Sequence, residues 1–474
     1  MKNIAKVWRS STAFLLSAFS FLILITSCSN ELDETLQSAG NGNLQFVVSD
    51  FPAFGEGTQT RAIGTQDGGK TAWENGDQIL VTLTSQKYGE QAAALTYDGF
   101  SWSTEASLSY LENETPSISV IYAPCYEVTE EGVMQLRSGM QPGMAEYLSG
   151  NYEMENGIMT ITFEGAIRDY SRLRIAAMPE ATLTVTTTDF TPAGANNSSS
   201  ESGEVPQAEG SVTYTLTADE KGNAYLYGVF AEEATVSVKQ GEVTLKDYTF
   251  TAEKNTNGTE HNKSYALDAR PVIDGTLGGK TEAEESDIRA LMDIIKNCVA
   301  NGITTLIVTG SEPAIKDMGS WTNTAIGEAI YRLSGDGIYN EDNQYNGKID
   351  LILQDVTEIV VQEFFDAYAL NSINLPKVTT VGDEAFQGCD HLKQIMFGSV
   401  ITSIKQENGL TFVVGDKVGG CDLVLNCGQL QTEYIYKPDL GNNVWFKPSW
   451  GGDVTWKSIT LTHTGECDEC KANQ

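Results

Sequence analysis

Short runs in which apolar and polar residues alternate are the main pattern between residues 44 and 269. Apolar positions two residues apart are typical of a strand with one buried face. Such runs occur at residues 44–49, 78–84, 93–97, 117–122, 152–155, 158–163, 181–188, 211–217, 224–230 and 246–251. Asp98-Gly99 and Asn156-Gly157 lie between neighbouring runs, and both dipeptides favour tight hairpin turns. The pattern predicts an antiparallel β region.

The pattern changes after Arg270-Pro271. Residues Ala283 to Ala300 place apolar side chains three and four positions apart, which predicts an amphipathic helix, and Asn301-Gly302 should end it. A strand is expected next, from Ile303 to Thr309.

An internal repeat of 22 residues follows the predicted helix. The sets that recur at this spacing are Leu351, Ile373 and Ile395; Leu353, Leu375 and Phe397; Val356, Val378 and Val400; and the pairs Phe364 and Phe386, Ala367 and Cys389, and Leu370 and Leu392. A period of this length with apolar residues at fixed offsets is typical of a leucine-rich-repeat solenoid, in which each turn buries its apolar edge against its neighbours. The spacing is lost after Ile404, and Cys421 to Leu425 and Lys457 to Thr462 are expected to form irregular final turns or a cap.

The charge and the cysteine content argue against nucleic-acid binding and against a disulfide-based fold. The formal net charge of −34 makes nucleic acid an improbable partner, because phosphate binding needs a basic surface. Eight cysteines in 474 residues are too sparse for a disulfide scaffold, so ordinary burial must supply the core.

The first residues have the form of a secretory leader. Three basic residues, Lys2, Lys6 and Arg9, precede the apolar run from Ala13 to Ile25, and small residues then lead to Cys28. The run is shorter than the roughly 20 residues that span a bilayer, so residues 1–27 are predicted to be a signal peptide. The end of this leader resembles the lipobox of bacterial lipoproteins, which implies that the Cys28 thiol carries fatty acid such as palmitate and anchors the chain to outer-membrane lipid at the cell surface. An ordinary signal peptide beside an incidental cysteine is the alternative.

Several short motifs resemble landmarks of the fimbrillin family, the subunits of type V pili. In chain order they are Thr60-Arg61-Ala62, Trp73 to Ile79, Val120 to Pro124, Ala224 to Phe230 and Asn262 to Leu267. The resemblance covers about residues 44–270. It implies two transthyretin-like β-sandwich domains, at residues 62–170 and 171–270, preceded by a tether and leader strand at residues 28–61.

The segment from Leu375 to Cys389, followed by Leu392, is similar to the BspA-like leucine-rich repeats of bacterial surface adhesins. Residues 271–474 are therefore assigned to a leucine-rich-repeat-like domain. Together these expectations give an α+β, mainly β protein in which two sandwiches precede a short solenoid.

The fimbrillin resemblance implies that a protease cuts between Arg61 and Ala62 and removes a leader strand that carries Leu44, Phe46 and Val48. Burial of these three side chains should contribute roughly 1.5–3 kcal/mol each. That is a large part of the ~5–15 kcal/mol that stabilises a domain. The emptied groove would expose unpaired backbone groups, and a strand from another pilus subunit is the expected replacement.

Two interpretations of Arg61 stay open. In the first, the chain is cut and joins a fimbrium as a tip subunit, because the repeats and Cys467-Asp468-Glu469-Cys470 occupy the end from which a stalk subunit would donate a strand. In the second, Arg61 is an ordinary loop residue, and the uncut chain stays tethered through Cys28, as an anchor subunit or as a surface protein outside any pilus. In either case the repeats are predicted to bind a host protein, a glycan or another bacterial surface ligand.

No enzyme, cofactor or metal ion is predicted. The three histidines, His261, His391 and His463, lie in unrelated regions, so a hydrolytic triad is not expected. Asp342 begins a segment that imitates a calcium loop but lacks the final bidentate carboxylate. His463 with Cys467 and Cys470 falls short of four zinc ligands, so a short-range disulfide or thiols are expected there. Trp445, Trp450 and Trp456 could stack on sugar rings or cap the solenoid.

Overall fold

Three units follow one another along the chain, and strands far outnumber helices, which confirms the mainly β character. The computed structural model describes residues 45–52, 70–111, 114–155, 157–163, 168–195, 210–251, 258–316, 322–334, 344–404, 421–431, 444–445 and 454–462. Leu44, the predicted leader with Cys28, the Arg61-Ala62 site, and His463, Cys467 and Cys470 lie outside these residues.

The first unit is one strongly bent sheet. Its strands are β1 (Gln45–Val48), β2 (Gln78–Ser85), β3 (Gly89–Tyr97), β4 (Trp102–Ser103), β5 (Ser117–Tyr122), β8 (Leu148–Glu155) and β9 (Ile158–Thr162), in the order β1-β9-β8-β5-β2-β3-β4. Residues 148–150 of β8 pair with β5, whereas residues 151–155 pair with β9, so β8 belongs to both halves of the sheet. The two halves enclose a core that includes Ile79, Val81, Val120, Ile161 and Phe163. A small hairpin, β6 (Tyr126–Val128) with β7 (Met134–Leu136), packs on the opposite face.

The second unit has two four-stranded sheets. They contain β10 (Ser171–Ala176), β11 (Thr182–Thr188), β12 (Phe190–Pro192), β13 (Ser211–Thr217), β14 (Asn223–Phe230), β15 (Thr235–Gln240), β16 (Val243–Thr249) and β17 (Ser264–Asp268), ordered β12-β14-β10-β17 and β13-β11-β15-β16. Alternate residues of β11 are buried, as the alternating sequence predicts. Phe190, Phe230 and Phe250 meet in the core, with ring centroids 4.4 and 4.9 Å apart in the two successive pairs.

The third unit is built on a parallel sheet. The sheet contains β18 (Val272–Asp274), β20 (Thr305–Thr309), β22 (Ile349–Leu353), β24 (Leu370–Leu375), β26 (Gln394–Phe397), β28 (Asp422–Asn426) and β31 (Ser458–Thr462), in that order. Shorter strands are β19 (Glu282–Ala283), β21 (Ala314–Ile315), β23 (Glu358–Ile359), β25 (Thr380–Val381), β27 (Ser403–Ile404), β29 (Val444–Trp445) and β30 (Val454–Thr455), and a 3-10 helix spans Cys427–Gln431. Residues 421–425 and 457–462, where irregular final turns or a cap were expected, lie in the region of β28 and β31 in this sheet.

The residues counted as repeats stand side by side in this sheet. Leu351 pairs with Ile373, and Ile373 pairs with Ile395, so a spacing of 22 residues corresponds to one step from strand to strand. Phe364 and Phe386 stack with centroids 5.8 Å apart and planes only 11° from parallel. Each turn therefore buries its apolar residues against the equivalent residues of the next turn.

Two helices cover the first part of the third unit. Helix α1 (Glu285–Ala300) is the predicted one, and it begins two residues later than expected because Glu282 and Ala283 form β19. Asp287 accepts a hydrogen bond from the Glu284 amide, which helps to fix the first turn. Helix α2 (Ala325–Arg332) was not predicted, because it is short and contains a glycine. Gly327 is required there, since a Cβ atom would overlap the carbonyl oxygen of Glu363.

Contacts join successive units. The Tyr227 amide of the second unit donates to the Gly143 carbonyl of the first at 2.8 Å, and the Tyr214 hydroxyl donates to Pro142 at 3.2 Å. At the other end of the second unit, the Glu242 amide donates to Asn301 at the end of α1 at 2.8 Å. Val243 and Leu245 pack against the core of the third unit. Each unit thus contributes residues to its neighbour's packing.

Replacement of a stacked ring should measure how much the repeats depend on one another. We expect Phe386→Ala to reduce the free energy of unfolding by about 3–5 kcal/mol, because a fully buried ring is removed and its stacking partner Phe364 loses contact. Denaturant unfolding followed by circular dichroism and fluorescence measures the change. Val361→Ala is the control, since Val361 is exposed and should alter stability by no more than about 0.5 kcal/mol. A loss below about 1 kcal/mol for Phe386→Ala would show that the turns do not support one another in this way.

Candidate functional site

The first strand of the chain is an addition to the first unit. β1 pairs parallel with β9, with Gln45 opposite Ile158 and Val48 opposite Ile161. All the other described strand pairs in this sheet are antiparallel. β1 also stands at the end of the strand order, with β9 as its sheet partner. Residues 45–52 therefore fill a groove, here called the leader groove, along the outer edge of β9.

The side chains of β1 alternate as the sequence predicts. Phe46 and Val48 face the core of the first unit and are half-buried, whereas Gln45 and Val47 are exposed, Val47 to 44%. Because Phe46 and Val48 are only half-buried, each contributes less than the full burial energy expected from the sequence. The alternation is confirmed for Phe46 and Val48.

The most deeply buried side chain of the segment is Phe51, which the sequence argument did not single out. It is 6% exposed and meets the edges of two aromatic rings, Trp73 at 4.9 Å and Tyr122 at 5.6 Å between centroids. Two cations lie over its ring: Lys70 Nζ is 5.7 Å and Arg168 Cζ 6.0 Å from the centroid. The aromatic side chain before Pro52, just beyond the strand, was the only sequence signal for this contact.

Hydrogen bonds hold the residues after β1, where the strand pairing ends. The Trp73 indole donates to the Ser49 carbonyl at 2.8 Å, and the Phe163 amide donates to the Ser49 hydroxyl at 3.0 Å. Arg168 Nη2 donates to the Pro52 carbonyl at 2.7 Å. Groups from positions 73 and 168 thus bind the backbone of residues 49–52, and the amide of residue 163 binds the Ser49 side chain.

Charged groups beneath the groove are paired. Arg168 Nη2 lies 2.9 Å from Glu146 Oε2, and both side chains are buried. Burial raises the pKa of Glu146, and the adjacent Arg168 opposes that shift. Burial and the nearby Asp77 carboxylate also raise the pKa of Tyr122, so its hydroxyl stays protonated and donates to Asp77 at 3.3 Å. The wall of the groove is therefore fixed by the first unit's own interactions.

Loss of residues 45–52 would leave an incomplete unit. The backbone groups of β9 that now pair with β1 would lose their partners, and Trp73 and Tyr122 would lose the ring that packs against both of them. Such an edge can accept another strand by β-augmentation. The geometry fits a site for strand binding.

A second candidate surface is the polar face of the parallel sheet. One row across neighbouring strands contains Asp350, Ser372, Gln394, Asp422 and Ser458. Asp350 accepts hydrogen bonds from Asn371 and Ser372, and Asp422 accepts one from Ser458, so several of these groups bind one another. The next row mixes Ile352, Asn374 and Met396, which are half-buried. A mixed surface of this kind suits a protein or carbohydrate ligand without specifying one.

One of the tryptophans considered for sugar binding is buried. Trp456 is 3% exposed and belongs to the core of the third unit, so it is not placed to stack on a sugar. Within the described residues, no group of three or more His, Cys, Asp or Glu side chains is arranged to hold a metal ion. The same part of the chain has no helix with the length and apolar character needed to cross a membrane.

Two carboxyl groups, those of Glu312 and Glu363, lie close to α2. Glu363 is 1% exposed and accepts a hydrogen bond from the Val360 amide, while Glu312 accepts one from the Ile326 amide. Glu312 is half-exposed as a residue, but its Oε1 atom is covered and has no hydrogen-bond partner. Burial raises the pKa of Glu312 to about 7, and burial with the nearby Glu312 raises the pKa of Glu363. Burial therefore shifts both groups towards the protonated form relative to an exposed glutamate.

No family profile and no curated protein matches the chain. Among solved structures, it is similar to a protein from Bacteroides fragilis NCTC 9343 that is provisionally assigned to cell adhesion, at 12% identity and a TM-score of 0.25, over 48% of this chain and 92% of that one. A protein from Bacteroides ovatus ATCC 8483 with the same provisional assignment matches at 12% identity and a TM-score of 0.25, over 42% of this chain and 84% of that one. A shaft pilin of Lactobacillus rhamnosus GG matches at 13% identity and a TM-score of 0.14, over 41% of this chain and 93% of that one. TM-scores this low do not establish a common fold, so the function must be argued from the residues themselves.

The raised pKa of Glu312 predicts that the stability of the protein depends on pH. A carboxyl group whose pKa is raised by folding stabilises the protein below its unfolded pKa, near 4.5, and this contribution is lost as the pH rises towards about 7. We expect Glu312→Gln to be more stable than wild type by about 1–3 kcal/mol at pH 8 but little different at pH 4.5. Denaturant unfolding across this range measures the difference. The exposed Glu282 supplies the control, Glu282→Gln. A stability difference for Glu312→Gln that does not change with pH would contradict the raised pKa of Glu312.

Proposed function

We propose that the chain is a non-enzymatic cell-surface lipoprotein that joins a type V pilus as a tip or accessory subunit and presents an adhesive repeat domain. In this proposal a lipid-bearing Cys28 first holds the chain at the outer membrane. Cleavage between Arg61 and Ala62 then releases residues 28–61, and a strand from another subunit enters the leader groove. The third unit, as a leucine-rich-repeat-like solenoid, carries the adhesive surface.

The observation that carries the proposal is the way residues 45–52 are bound. They form a separate parallel strand at a sheet edge, and the anchoring groups, Lys70, Trp73, Tyr122 and Arg168, all follow Arg61 in sequence. A cut at Arg61 would therefore leave the receiving residues together on one fragment. Without the bound strand and the Phe51 side chain, that fragment would have an unpaired strand edge and an exposed apolar surface. Binding of a replacement strand would therefore stabilise it.

One observation favours a second function, a permanently anchored surface protein that binds glycan or host protein without joining a pilus. Ser49, Phe51 and Pro52 are held by specific contacts, which is the arrangement that an uncut chain would keep. In that case the segment is a structural part of the first unit. The groove would then never exchange its strand.

Processing at Arg61 separates these functions. We expect mass spectrometry of protein from the cell surface to detect a chain that begins at Ala62 in wild type and to find none in the Arg61→Ala variant. Arg289→Ala, a change at an exposed arginine, is the matched control and should leave the processed chain unchanged. If wild type itself contains no chain beginning at Ala62, the anchored surface protein is the correct alternative.

A further inference from the structure

We propose that the leader groove selects its strand by one aromatic side chain. The segment it accepts from another polypeptide should carry apolar residues at positions i and i+2 and an aromatic residue at i+5, as Phe46, Val48 and Phe51 do. This inference rests on the proposed strand exchange and specifies the partner that replaces residues 45–52. The aromatic residue, rather than the strand itself, decides which segment binds.

The surroundings of Phe51 favour an aromatic ring over an aliphatic side chain of similar size. Trp73 and Tyr122 meet it at interplanar angles of 88° and 85°, the edge-to-face geometry in which ring quadrupoles attract. The Lys70 ammonium and the Arg168 guanidinium lie 5.7 and 6.0 Å from its centroid, within the range of cation–π attraction. A leucine in this place would retain burial but lose both kinds of interaction.

The two cations are positioned by the receiving unit rather than by the strand. Lys70 Nζ lies 2.5 Å from Asp77 Oδ1, and Arg168 is paired with buried Glu146. Their counter-ions keep the pocket from holding uncompensated charge when it is empty. The pocket is therefore prepared for an aromatic ring before a strand arrives.

Apart from the bond from the Phe163 amide to the Ser49 hydroxyl, the remaining polar contacts fix position rather than side-chain identity. Pairing with β9 uses backbone groups, which every residue except proline supplies in full. The bonds from Trp73 to the Ser49 carbonyl and from Arg168 to the Pro52 carbonyl also bind backbone, on either side of the aromatic residue. They set the distance between the paired strand and the ring. Because Phe46 and Val48 are only half-buried, Phe51 is left as the main source of selectivity.

Peptide exchange on the cut protein tests the selectivity. The intact chain is cleaved at Arg61 by an arginine-specific protease, with mass spectrometry to verify the cut, so that the leader segment stays bound only by non-covalent contacts. Fluorescent peptides with the sequence of residues 44–55 are then added, and their affinity is measured by anisotropy. Compared with the wild-type peptide, we expect Phe51→Ala to bind at least about 100-fold more weakly. Phe51→Leu should lose about 10-fold. The control Val47→Ala, at an exposed position, should stay within about twofold.

A change in the receiving unit gives an independent measurement. Lys70→Met should reduce the preference for phenylalanine over leucine at position 51 by about threefold, because one cation over the ring is lost. Lys87→Met is the matched control, since Lys87 lies over the ring of Tyr88, and should leave that preference unchanged.

Two results overturn the inference in distinguishable ways. If the wild-type peptide exchanges but Phe51→Leu binds equally well, strand exchange stands and the aromatic selectivity is wrong. If no peptide binds the cut protein, not even the wild-type sequence, both strand exchange and the aromatic selectivity are wrong.

Discussion

The first unit depends on one requirement, that the backbone groups along the outer edge of β9 are paired. Backbone N–H and C=O groups along a strand need partners, and β1 supplies them from a part of the chain that otherwise belongs to no hairpin of the sheet. The same segment packs Phe51 against both Trp73 and Tyr122. One short stretch therefore completes both the hydrogen bonding and the packing of the unit.

Features that repeat at a fixed spacing could be predicted from the sequence. The alternation of Phe46 and Val48, the stripe of α1 and the 22-residue repeat each depend on residues close together or regularly spaced. Phe51 could not be predicted in the same way, because it breaks the alternation and its environment comes from residues between 70 and 168. The parallel orientation of β1 was likewise decided by a distant partner, β9.

Several motifs that carry the family resemblance have a physical explanation in the leader groove. Trp73 and Asp77 come from one of these motifs and Tyr122 from another. Trp73 binds the Ser49 carbonyl and one side of Phe51, while Asp77 binds both Lys70 and the Tyr122 hydroxyl. These residues are far apart in sequence but form the wall around one ring.

The buried cysteines make correct folding dependent on how fast their thiols are covered. Cys125, Cys298, Cys389 and Cys421 are buried as thiols, and burial raises the pKa of each, to about 12 for Cys421. A thiol that stays protonated and inaccessible reacts slowly with oxidants, so the folded protein protects these groups even in an oxidising compartment. Before folding, the same sulfur atoms are exposed and could be trapped in incorrect disulfides. A secreted form would therefore need its units to close faster than its thiols are oxidised.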